Sequence, residues 1–61
     1  MKPGELRRFV HNPTTQEAAG KLFLVIDARQ TLCDILMDGK LIRNYDLLYV
    51  KQLSRRVDET G

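Results

Sequence analysis

Sixty-one residues make one small domain at most, near the lower limit for folding alone, where roughly 60% of the unfolded chain's surface is buried; a large enclosed active site does not fit. With 43% hydrophobic and 30% charged residues the composition is that of a globular chain, and a net charge of +2 permits nucleic-acid binding without demanding it. Cys33 is the single cysteine, which excludes an internal disulfide framework and a cysteine-based zinc site and makes the reducing cytoplasm the expected compartment.

Along the chain, Lys2-Pro3-Gly4 forms a turn and residues 5–10 read as a first strand, with Leu6 and one of Phe9 or Val10 facing inward. Residues 11–21 are a long connection. Within it Thr14-Thr15-Gln16-Glu17 has capping-box spacing for a single helical turn that Gly20 stops, and Pro13 disqualifies Asn12 as a glycosylation acceptor. Residues 22–29 read as the longest strand. Strict alternation puts Leu22, Leu24, Ile26 and Ala28 on the core face and Phe23, Val25, Asp27 and Arg29 on the other.

The strongest local signal follows. Asp38-Gly39 between two apolar runs suits a two-residue type I′ hairpin turn, whose two central residues both take positive φ. That turn fixes a register in which Met37 pairs with Lys40, Leu36 with Leu41, Ile35 with Ile42, Asp34 with Arg43 and Cys33 with Asn44. Asn44-Tyr45-Asp46 then leads into a short helical turn capped by Asp46, residues 50–53 form the last strand, and residues 54–61 are expected to be a flexible tail. No apolar run approaches the roughly 20 residues that span a bilayer, and the amino terminus lacks a secretory signal's apolar stretch.

Five short strands, one long loop, a tight hairpin and a helical turn before the last strand are the parts of a small all-β barrel. The order Lys2-Pro3-Gly4-Glu5-Leu6, Gly20-Lys21-Leu22, Met37-Asp38-Gly39-Lys40 and Asp46-Leu47-Leu48 resembles the small SH3-like barrel proteins of tailed bacteriophages over about residues 2–53. The resemblance implies an SH3-like five-stranded barrel over residues 1–53 and a phage or phage-derived origin, hence the host cytoplasm or a virion. It carries no catalytic residue across. The aromatic groove with which signalling members of the fold hold proline-rich ligands is not recognisable, since the chain has no Trp.

Chemistry-bearing residues are sparse. His11 and Cys33 stand alone among scattered carboxylates, and the glycines are too dispersed for a phosphate loop, so no catalytic residue, cofactor or metal site is expected. Cys33 reads as a small buried hydrophobe and His11 as a solvated loop residue. Two features are candidates for binding. Phe23, Val25, Leu36 and Leu41, if all outside, make an apolar patch for a protein interface, self-association first, unless the long loop or terminal segment covers it. Lys2, Arg7, Arg8, Arg55 and Arg56 make a possible phosphate-binding edge, with Phe9, Phe23, Tyr45 and Tyr49 as stacking candidates; otherwise they are solvated edge charges. The expectation is a non-catalytic accessory or assembly protein acting through a homo-oligomer or another protein, with nucleic-acid binding as the alternative.

Overall fold

A computed structural model describes residues 1–14 and 17–57. The elements are β1 (Leu6–Phe9), β2 (Leu22–Ala28), β3 (Leu32–Met37), β4 (Lys40–Asp46), α1 (Leu47–Leu53) and β5 (Ser54–Arg56). The five strands form a single antiparallel sheet in the order β4-β3-β2-β1-β5, so the last strand lies beside the first. The mostly-β architecture with a short helix before the last strand is the one the sequence leads to. No described helix is long and apolar enough to cross a membrane.

The β3–β4 hairpin turns on Asp38 and Gly39 with φ of 54° and 75°, and pairs Met37 with Lys40, Leu36 with Leu41 and Ile35 with Ile42 as expected. Beyond Ile42 the expected register fails. Cys33 pairs with Tyr45, not Asn44, because β4 carries one residue more than β3 over this stretch and Asn44 takes a φ of 58°. A second irregularity lies at the same level: Val25 pairs with Ile35 but Asp27 with Asp34, leaving Ile26 as an extra residue in β2.

That second bulge corrects the face assignment of β2. An extra residue reverses the parity of everything beyond it, so Phe23 and Val25 point into the core together with Ala28, and Leu22, Leu24 and Ile26 lie on the outer side. The Phe23 ring stacks tilted on Phe9, with centroids 4.6 Å apart, and Val25, Cys33, Ile35 and Val50 complete a fully buried centre. In β1 it is Phe9 that faces inward, whereas Leu6 and Val10 are exposed.

The end of the chain also departs from expectation. Asp46 caps α1 by accepting from the Tyr49 backbone N–H at 3.0 Å, but the helix continues through Leu53 and takes up the residues expected as the last strand. Leu47, Val50 and Leu53, three residues apart, all pack on the core, a helical period that competes with strand alternation. The last strand comes just afterwards, in what was expected to be tail: Ser54, Arg55 and Arg56 pair with Phe9, Arg8 and Arg7, and the Val57 N–H donates to the Leu6 carbonyl at 3.0 Å. Residues 58–61 of the expected tail, and Thr15 and Gln16 of the expected turn in the long loop, lie outside the described residues.

Candidate interaction surface

Registers across the sheet bring one leucine from each of four strands into a single row. Leu6 pairs with Leu24, Leu24 with Leu36, and Leu36 with Leu41. Adjacent strands lie about 4.8 Å apart, so the row is about 14 Å long. Leu6, Leu36 and Leu41 are 39%, 37% and 47% exposed, and Leu24 is half-buried between its neighbours. Leu22 and Ile26 extend the apolar area along β2 on either side. Of the four residues expected at an interface, Leu36 and Leu41 are on this surface, but Phe23 and Val25 are core residues at 1% and 0% exposure. Leu6, Leu22, Leu24 and Ile26 take their place. Aligning Leu24 with the hairpin's own outward pair, Leu36 and Leu41, is the signal that finds them.

The five expected cations divide by strand alternation. Arg7 shares the inward side of β1 with Phe9 and is 7% exposed. Its Nη1 donates to Glu5 Oε2 at 2.5 Å, Nε to Ser54 Oγ at 2.8 Å and Nη2 to the Ser54 carbonyl at 3.0 Å, while Ser54 Oγ donates to the Val50 carbonyl. Arg7 is thus a buried structural cation, neither a solvated edge charge nor a ligand group. Arg8 and Arg55, cross-strand partners, stand exposed on the outer side next to Leu22, and among the described residues neither side chain has a hydrogen bond or ion pair. Lys2 and Arg56 line a shallow groove with Pro3, Gly4 and Glu5. The cations therefore do not form one cluster.

The opposite end of the outer face is polar and internally satisfied. Arg29 Nη2 donates to Asp34 Oδ1 at 2.9 Å and to Asn44 Oδ1 at 2.9 Å, and its Nη1 reaches Asp27 at 2.8 Å. Asp34 thus pairs with Arg29 and not with the expected Arg43, because the bulge turns the Asn44 N–H onto Asp34 Oδ1. Hydrogen bonds from Arg29 and from that N–H hold the Asp34 carboxyl down at about 2, against an ordinary 3.8, and the two carboxylates raise the Arg29 guanidinium. At the hairpin end Lys21 Nζ binds Asp38 Oδ2 at 2.6 Å.

Apart from His11, the other candidates for chemistry are buried or held by structural bonds. Cys33 is buried, as a small hydrophobe, and burial first of all pushes its thiol pKa up. His11 is exposed in the β1–β2 connection. Of the aromatic residues, Phe9 and Phe23 are core, the Tyr49 hydroxyl is held by the Thr14 N–H and Oγ1 at 2.6 Å, and the Tyr45 hydroxyl is buried without a hydrogen-bond partner among the described residues. Among the described residues, no three His, Cys, Asp or Glu side chains are grouped to hold a metal ion. In comparisons with known protein families, curated proteins and solved structures, the chain matches none.

Proposed function

We propose that this chain is a non-catalytic accessory or assembly protein of the SH3-like, phage type that works through protein contacts made by the outer face of its sheet. The observation that carries the reading is the row Leu6, Leu24, Leu36 and Leu41, aligned across four strands while a separate core fills the other face. A contiguous apolar surface with a polar rim is characteristic of protein interfaces and costs solubility when left open. The SH3-like reading is supported by the strand order, with β5 returning beside β1, and by the helix between β4 and β5. Either a second copy or a different protein can supply the covering surface.

Arg8 and Arg55, whose side chains have no partner among the described residues, favour a second reading, nucleic-acid binding, but Arg7 is withdrawn into the core and the two phenylalanines are unavailable for stacking. A photocrosslinking amino acid at position 41 tests the choice in the producing cell, with exposed Lys51 on α1 as the control position. The expected result is protein adducts from position 41 and none from position 51. Nucleic-acid adducts, or equal labelling from both positions, would contradict it.

A further inference from the structure

We propose that the outer face binds an acidic amphipathic helix of another protein, its apolar side chains on the leucine row and its carboxylates on Arg8 and Arg55. The inference rests on the protein-contact reading and adds the chemistry of the partner.

Charge is the first argument. Arg8 and Arg55 are directly opposed like charges, a destabilising arrangement, and they have no counter-ion among the described residues. Guanidinium groups side by side on neighbouring strands suit carboxylates, which accept their N–H donors in pairs. A second copy has little to offer them. Glu5 is bound by Arg7, Asp27 and Asp34 by Arg29, Asp38 by Lys21, and Asp46 caps α1. Glu17 is in the β1–β2 connection and not on a strand of this face, and Asp58 and Glu59 lie outside the described residues. Face-to-face pairing of two copies therefore leaves these arginines unanswered by the carboxylates of the face, whereas an acidic partner neutralises them.

Spacing is the second argument. The row advances about 4.8 Å per strand and a helix about 5.4 Å per turn, with residues i, i+3, i+4 and i+7 on one side. A helix laid across the strands thus sets successive apolar turns near successive leucines for about two and a half turns. Arg8 and Arg55 flank the β1 end of that track, where they meet acidic side chains at one end and along one side of the helix.

Calorimetric titration of the full chain with two synthetic helical peptides of about 18 residues tests this. Both carry leucines at i, i+3, i+4 and i+7; one is flanked by glutamates, the other by lysines. The glutamate peptide should bind at least roughly tenfold tighter at low salt, and added salt should weaken it. Arg8→Glu/Arg55→Glu should reverse the preference, a gain for the lysine peptide that also proves the variant folded. Leu36→Ser/Leu41→Ser should lose both peptides. Equal binding of the two peptides, or no binding up to about 1 mM, overturns the proposal. So does tighter binding of an oligothymidylate that depends on Arg8 and Arg55, which would assign the pair to phosphate. Self-association by light scattering that blocks the peptide and is lost with Leu36→Ser/Leu41→Ser overturns it in favour of a second copy. In that last case the protein-contact reading survives and only the partner changes.

Discussion

Arg7 ties β1 to β5, because its side chain, 8% exposed, donates to Glu5 on one side and to the hydroxyl and carbonyl of Ser54 on the other. A buried ion pair contributes little against an apolar replacement, but removing one partner strands the other charge. Glu5→Ala should therefore cost about 3 kcal/mol, and Ser54→Ala, which removes both the hydroxyl acceptor of Arg7 Nε and the donor to the Val50 carbonyl, about 1–2 kcal/mol. Urea unfolding measures both. Asp34 behaves differently, since its effect is tied to pH. Its folded pKa of about 2 lies below the ordinary 3.8, so its contribution is complete above the unfolded value and is lost as pH falls from about 5 toward 2. Asp34→Asn should be less stable than the parent at pH 7, and most of that gap should be gone by pH 2, where the folded carboxyl is about half protonated; an unchanged gap would contradict the role given to the Arg29 bond. Arg7 could not be read as buried from sequence, because Glu5 and Ser54, its partners, are distant from each other in the chain and meet only once β5 has docked beside β1.

At the scale of elements, legibility follows how local the determinants are. The Asp38-Gly39 turn was readable because two adjacent residues supply the positive φ values it needs, and the Asp46 cap because its bond spans a single turn. The face of β2 was not. Its run Leu22-Phe23-Leu24-Val25-Ile26 is apolar on both sides, and the bulge at Ile26 depends on the pairing with β3. Residues 50–53 suited either period, and packing of Val50 in the core decided for the helix. The β2 assignment has a sharp consequence. Phe23→Ala should cost about 3–5 kcal/mol, the range for emptying a buried aromatic site, while Leu22→Ala, at a position 44% exposed, should cost less than about 1 kcal/mol. Equal losses in thermal unfolding would contradict the assignment.

For the whole molecule, the sheet divides two sets of apolar residues, a closed core on one side and an open leucine row on the other. That Leu36 and Leu41 share the outer face was foreseeable from the hairpin register. The rest of the surface was not, because it depends on β1, β2 and β5 pairing across long stretches of sequence. A chain of this size buries only about 60% of its unfolded surface, and the proposed partner is what would cover the open row of leucines. The claim that this face is surface and not core is tested most directly by urea unfolding of Leu36→Ser/Leu41→Ser. A cooperative transition within about 2 kcal/mol of the parent is expected, since both side chains already meet water. Loss of the folded state, or a cost of about 5 kcal/mol or more, as for two core deletions, would mean that the row is part of the core and is not held open for a partner.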